Sequence, residues 1–474
     1  MNTNRKKISL LAVALIMSIL VLGVLIYFLV AGLPLPRNQY ETQEGNELKI
    51  PSLLPDLNPD PNTADFVLDV QSGETNFLGN RQTKTLGYNG SYLGPVIRIR
   101  KGEKVHIQVN NHLDFSTTLH WHGLVVDGEQ DGGPHQGIQP GESWDPAFTV
   151  DQDAATLWFH PHLMGETANQ VYYGLAGLIY IDDENSEKLN LPKNYGIDDI
   201  PLIVQDRSFK RDGSFDYRTS MMGVVSGDTI MINGTVNPYL NVNKGNVRFR
   251  ILNASNSQNF AFSLSDGSSL QQIASDGGFL EAPLERKSIF LAPGERVEVV
   301  VDFSKNVLST VTLMSGNQSI MAINLAGTNT DATEVPDSLT TVMPIQLSDN
   351  PKTRVFDLQS MGISGTINGN AFDMDRIDEE VRLNESEVWV IRNSGGMMQS
   401  SGHPFHVHGT QFQVISRNGK IPPPQERGYK DTVFVNVGEE IAIRIRFTHP
   451  GIFMYHCHIL EHEDNGMMGQ FKVS

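Results

Sequence analysis

The chain has a single cysteine, Cys457, among 474 residues, so no internal disulfide can form. In an exported protein that absence fits a cysteine kept as a metal ligand. Positive charge is scarce as well: 36 Lys and Arg against 54 Asp and Glu leave a net charge of −18. A surface of that sign argues against nucleic acid as a partner and otherwise serves solubility. Histidine is missing altogether from residues 191–346, although the chain holds 14.

Cys457 sits in His456-Cys457-His458, followed by His462 and Met467. On a β-strand successive side chains face opposite ways, so His456 and His458 project to one side and Cys457 to the other. A thiolate, a histidine five residues on and a methionine ten on supply the soft sulfur, one imidazole and the weak axial thioether of a blue copper site. The second imidazole that such a site needs is available in His403-Pro404-Phe405-His406-Val407-His408. The arrangement reads as a wire, with electrons arriving at one copper and leaving at a cluster on the other face of the strand.

Two further pairs, His120-Trp121-His122-Gly123 and His160-Pro161-His162, lie in the N-terminal third. Ten of the 14 histidines fall in these four motifs, leaving His106, His112, His135 and His449. One His-x-His pair alone reads equally well as two ordinary hydrogen-bonding histidines. Four pairs in company with the cysteine and the methionine do not. A structural zinc site closes with four ligands and has no use for ten. The two imidazoles of a pair on a strand face the same way about 7 Å apart, so each pair serves two neighbouring metals. Two pairs come from each end of the chain. That puts the cluster at the contact between the terminal domains and couples metal holding to their assembly.

In order and type these motifs resemble the multicopper oxidases, above all the bacterial three-domain, laccase-like members that include cuprous oxidases and spore-coat laccases. The similarity spans about residues 65–474. The resemblance implies four copper ions: one type 1, one type 2 and two type 3. It implies a type 1 ion held by His403, Cys457 and His462 with Met467 axial, and a type 2 ion held by His120 and His406. The type 3 pair would take His122, His160 and His458 on one ion and His162, His408 and His456 on the other. No ligand position is missing, which sets the chain apart from copper-free relatives that keep the fold as division or scaffold proteins. Asp131, in Asp127-Gly128-Glu129-Gln130-Asp131-Gly132-Gly133, and Glu463, directly after His462, match family positions that serve the cluster as proton donors and hydrogen-bond anchors. Reducing dioxygen to water consumes protons in a buried site, and a carboxylate within reach can relay them. The bland reading gives Asp131 a turn and Glu463 a surface salt bridge.

A chain of this length exceeds one core, and three domains are expected. Short alternating runs dominate, among them Val96–Arg100, Lys104–Val109, Arg248–Ile251 and Ile441–Phe447, separated by Gly, Asn, Asp and Pro, the pattern of β-sandwiches. A rough internal repeat, Lys101-Gly102-Glu103, Lys244-Gly245-Asn246 and Val437-Gly438-Glu439, precedes an alternating strand in each third. The expected fold is all-β: three cupredoxin-like Greek-key sandwiches at 65–190, 191–346 and 347–474. The middle one, without histidine, is expected to hold no copper and to act as a spacer.

Arg5-Lys6-Lys7 precedes an apolar run from Ile8 to about Leu33. The run is long enough for a spanning helix, and its basic flank would keep that end in the cytoplasm and the rest outside. Residues 1–33 are therefore expected to be a membrane anchor, the alternative being a signal segment cleaved near Val30-Ala31-Gly32. Residues 34–64, with six prolines, read as a tether.

The expected activity is one-electron oxidation of phenols, aromatic amines, or cuprous or ferrous ions, coupled to four-electron reduction of dioxygen to water, by a monomer outside the cytoplasm. The stretch Thr353–Asn370 carries one methionine, Met361, so the chain lacks a methionine-rich insertion suited to soft cuprous ions. Asp373, Met374, Met397 and Met398 are candidates for a labile copper site; the competing reading makes the methionines core filler. The alternatives are a copper-binding envelope protein without turnover and a copper nitrite reductase. The second is disfavoured by the four His-x-His pairs.

Overall fold

In the computed structural model the described residues are 45–79, 81–220, 222–327, 334–362, 364–395 and 402–474. The segment read as an anchor or signal lies outside them, as do Met397 and Met398. Among the described residues no helix is long and apolar enough to cross a membrane.

Six sheets associate in three pairs, each closed over its own apolar core. In the first sandwich, Thr63–Asn76, Gln82–Tyr88, Lys104–Asn111 and Ser143–Trp144 face Val96–Arg100, Gly177–Asp182, Ala155–His160 and His120–His122, over Phe66, Ile107, Trp121, Leu157 and Ile179. The middle sandwich sets a sheet containing Asp199–Arg207, Asn246–Asn253 and Arg296–Asp302 against one containing Pro238–Asn243, Phe260–Leu264 and Gln318–Ala326. In the third, Thr353–Met361, Ser386–Asn393 and Glu439–Arg446 oppose His403–Val407, Gly451–Cys457 and Met468–Val473.

Outer strands alternate between buried and exposed residues, as in Lys104–Asn111 and Ser386–Asn393. The inward residues drive the packing, each buried Val, Ile, Leu or Phe contributing about 1.5–3 kcal/mol. The strands Ala155–His160 and His403–Val407 are instead buried along their whole length. One face of each meets its own core and the other meets a neighbouring sandwich; His160 and His406 lie on that second face, whereas His403 shares the core face of Phe405 and Val407.

Two expectations need correction. Residues 45–62 are not a free tether. Asn46–Glu47 pairs in parallel with Pro238–Tyr239, Leu48 is buried in the middle core, and the Leu54 N–H donates to the Val96 carbonyl oxygen. The repeat is also misaligned. Lys104–Asn111 and Asn246–Asn253 pair in parallel with the first long strand of their sandwiches, and in the third sandwich Ser386–Asn393 does so. The counterpart of Gly102 and Gly245 is therefore Asn384, which shares their positive φ. Gly438 corresponds to Gly294, since each precedes a strand antiparallel to that one.

Candidate metal centres

Cys457 ends the strand Gly451–Cys457 and points into the third core, paired across the sheet with Phe405. Its Sγ lies 3.3 Å from His403 Nδ1 and 3.9 Å from His462 Nδ1, all three residues being buried. The short helix Leu460–Asp464 turns the chain back: the Met467 N–H donates to the His462 carbonyl oxygen and the Cys457 N–H to that of Met467. Met467 is itself fully buried. Gly365 presses against it, for a Cβ there would fall 2.4 Å from Met467 Cβ and 3.1 Å from its Sδ. Burial, with His462 next to it, brings His403 down to about 3, and burial pushes the Cys457 thiol up. Neutral imidazoles beside a sulfur make a soft donor set.

On the other side of Cys457 the eight remaining motif histidines gather in one buried space. The His120–His122 pair lies wholly on its strand, but His162, His408 and His458 fall just past strand ends, where the chain is free to turn their rings inward. His162 Nε2 and His408 Nε2 each lie 3.1 Å from His456 Nε2. His122 Nδ1 lies 3.4 Å from His160 Nε2, and the His458 ring stands 4.9 Å from that of His122 and 5.5 Å from that of His160. His120 stacks on His408, and His122 on His406, each at 3.7 Å. Burial and the mutual proximity of the rings hold His122, His160, His406 and His408 well below the ordinary histidine range. Their lone pairs are therefore available at neutral pH.

The carboxylates come in where expected and in one place besides. Asp131 Oδ2 accepts from His408 Nδ1 at 2.8 Å, and the Asp131 carbonyl oxygen accepts from His120 Nδ1 at 2.9 Å. Glu463 is buried beside His456 Nδ1, at 3.1 Å, and His162 Nε2, at 3.5 Å, so it is no surface group. Burial would raise its carboxyl, but the facing His162 and His456 outweigh that and bring it to about 2. Asp431, absent from the sequence reading, accepts from His122 Nε2 at 3.0 Å through Oδ1 and from His406 Nδ1 at 2.8 Å through its carbonyl oxygen. The remaining histidines stay outside the cluster: His135 pairs with Gln470 and His112 with Asp69, while His106 and His449 lie elsewhere on the surface side. Asp373 is exposed, and Met374 packs against Phe372, Met454 and Met468.

These residues suit copper. His120 Nε2, His406 Nε2 and both ring nitrogens of His458 are buried without a hydrogen-bond partner, a costly state that a metal ion relieves. Thiolate, two imidazoles and a thioether form the donor set of a blue copper ion, and imidazole clusters suit further copper.

Multicopper oxidase family profiles match residues 69–186, 203–332 and 334–474. The chain is 42% identical over 440 residues to multicopper oxidase mco of Staphylococcus haemolyticus, covering 92% of this chain and 95% of that one. It superposes on the crystal structure of a laccase from Pediococcus acidilactici with a TM-score of 0.88 and 38% identity, over 91% of this chain and 94% of the other. The cell division protein FtsP of Xenorhabdus nematophila is also similar, 35% identical over 457 residues, 92% of this chain and 94% of that one. The fold, the two buried donor clusters and these likenesses together make the chain a member of the multicopper oxidase family, a copper-dependent oxidoreductase that uses four copper ions and dioxygen.

Proposed function

We propose that the chain is a laccase-like oxidase acting outside the cytoplasm on phenols, aromatic amines, and cuprous or ferrous ions. In this reading His403, Cys457, His462 and Met467 hold the type 1 ion, and His120 and His406 the type 2 ion. His122, His160 and His458 hold one type 3 ion, and His162, His408 and His456 the other. Copper held by these residues would supply one-electron oxidation of the reductant and four-electron reduction of dioxygen to water. The observation that carries the reading is Cys457 itself: its sulfur belongs to one donor cluster while its two chain neighbours, His456 and His458, belong to the other. A few covalent bonds thus join the two.

The chain's own groups do the remaining work. Reductants meet the protein near His462, whose Nε2 lies 3.5 Å from the carbonyl oxygen of Met222, a residue 40% exposed. The Asp131 and Glu463 carboxylates hold and pass protons beside the cluster. Asp131 Oδ1 has no partner in its buried position, which leaves a lone pair to take a proton. Residues 8–33 anchor the monomer in the membrane, and deleting residues 1–36 is expected to release soluble, active enzyme.

Oxygen uptake by copper-loaded protein tests the proposal, measured with cuprous, ferrous, phenolic and aromatic amine donors. Uptake with at least one donor class supports it. Four bound coppers without uptake from any donor would favour the envelope protein without turnover.

A further inference from the structure

The middle sandwich carries no histidine, yet it reaches the histidine cluster through Arg296, the first residue of the strand Arg296–Asp302. Arg296 is fully buried. All five guanidinium N–H groups are used. Nε donates to the Thr156 carbonyl oxygen at 3.0 Å. Nη1 donates to the Gly294 carbonyl oxygen at 3.1 Å and to Asp431 Oδ1 at 2.7 Å. Nη2 donates to the Asp276 carbonyl oxygen at 3.0 Å and to Asp431 Oδ2 at 2.6 Å. Thr156 lies in a strand of the first sandwich, Gly294 and Asp276 in the middle one, and Asp431 at the edge of the third. One side chain is thereby bonded to all three.

The partner Asp431 is the carboxylate that accepts from His122 Nε2. A His122 ring that donates from Nε2 turns the lone pair of Nδ1 toward His160 Nε2, 3.4 Å away. Two glycines leave room for this. A Cβ on Gly123 would fall 2.5 Å from Asp431 Oδ2 and 2.8 Å from Arg296 Nη2. A Cβ on Gly294 would meet the His458 ring at 2.9–3.1 Å, so the turn before Arg296 also bears on a second histidine of the cluster.

We infer that Arg296 is a positioning residue of the histidine cluster. Its two-pronged bond to Asp431 fixes the carboxylate, and the carboxylate fixes His122 in the tautomer that offers Nδ1 to a metal. Removing the guanidinium leaves a buried carboxylate with the His122 ring and Thr432 as hydrogen-bond partners and His406 Nδ1 at 3.6 Å, without the charge that pairs it. The inference rests on the ligand reading proposed above.

The test uses full-length, copper-loaded wild type with Arg296→Met, Arg296→Lys and Lys430→Gln. Copper per chain, the blue absorption and the type 2 paramagnetic resonance signal are measured as copper is titrated in. Arg296→Met keeps the blue band, and its cluster loses copper affinity by about 10- to 100-fold. Arg296→Lys keeps the charge but not the fork, so it binds more copper in the cluster than the Met variant and less than wild type. Lys430→Gln removes a neighbouring ion pair with Asp276 and Glu295 and keeps the wild-type spectrum. Wild-type copper affinity and spectrum in Arg296→Met would overturn the inference, as would equal loss in Lys430→Gln, which would assign the effect to docking of the sandwiches. If Arg296→Met yields no folded protein, wild-type copper affinity in Arg296→Lys would overturn it. Wild type that binds copper without any type 2 signal would instead overturn the ligand reading, a separate outcome.

Discussion

Asp131 and Asp431 hold the histidine cluster by the same two contacts from opposite ends of the chain. The carbonyl oxygen of each accepts from one imidazole, His120 for Asp131 and His406 for Asp431. The carboxylate of each accepts from the other member of the opposite pair, His408 for Asp131 and His122 for Asp431. The consequence is chemical: with Nδ1 tied to a carbonyl, His120 and His406 must both present Nε2 inward, and those two atoms lack a partner. The match breaks at the outer oxygens, where Asp431 meets Arg296 and Asp131 Oδ1 meets nothing.

That difference separates the roles of the two residues. Asp131→Asn and Glu463→Gln are expected to bind four coppers and to reduce dioxygen about 100-fold more slowly, because an amide keeps the shape but cannot relay a proton. Oxygen-electrode kinetics on copper-counted protein check this. Wild-type turnover would leave both residues a structural role only.

Acid should weaken the metal-free protein. His162, His403 and His458 are brought to about 3, first by burial, whereas in the unfolded chain they titrate near 6.5. Between those values the unfolded chain binds protons that the folded one refuses. Stability is therefore highest above about pH 6.5 and falls as the pH drops toward 3, by about 1.4 kcal/mol per pH unit for each such histidine. Thermal unfolding of apoprotein from pH 7 to 4 reads the effect, and a flat Tm across that range would contradict it.

The hairpin at Gly365 should report on the sulfur site. Gly365→Ala forces Met467 to move, since its Cβ would collide with the methionine side chain. The expected result is a changed blue absorption and a raised KM or altered redox potential, with copper in the histidine cluster undisturbed. An unchanged optical spectrum would mean that Met467 is not near enough to the site to matter.

Met374 separates two substrate readings. Its packing against Phe372, Met454 and Met468 favours a core role, and Met374→Leu should then cost less than about 1.5 kcal/mol and leave cuprous and phenol oxidation equally intact. Selective loss of cuprous oxidation would show that its sulfur handles a soft ion.

The two donor clusters were legible because the strand period and the His-x-His spacing are local. Four alternating strands were legible for the same reason, Val96–Arg100 down to the last residue. Asp431 and Arg296 were not. Their contacts join residues 309 and 135 positions apart, and a single aspartate or arginine carries no spacing signature. The repeat misled because glycine turns ahead of a strand occur more than once per sandwich, at Gly245 and Gly294 for instance. The docked segment around Leu48 was hidden by its prolines, which read as a tether when the strand that receives it, Pro238–Asn243, lies far along the chain.

The bond path through Cys457 is the centre of the account, and Cys457→Ser tests it most directly. The variant should fold, lose the blue absorption and retain the type 2 signal from the histidine cluster, because none of those eight imidazoles contributes to the sulfur site. Oxygen uptake should fall to background with every donor. Oxidase turnover by Cys457→Ser at anything near the wild-type rate would mean that electrons reach the cluster by another route, and the account would be wrong.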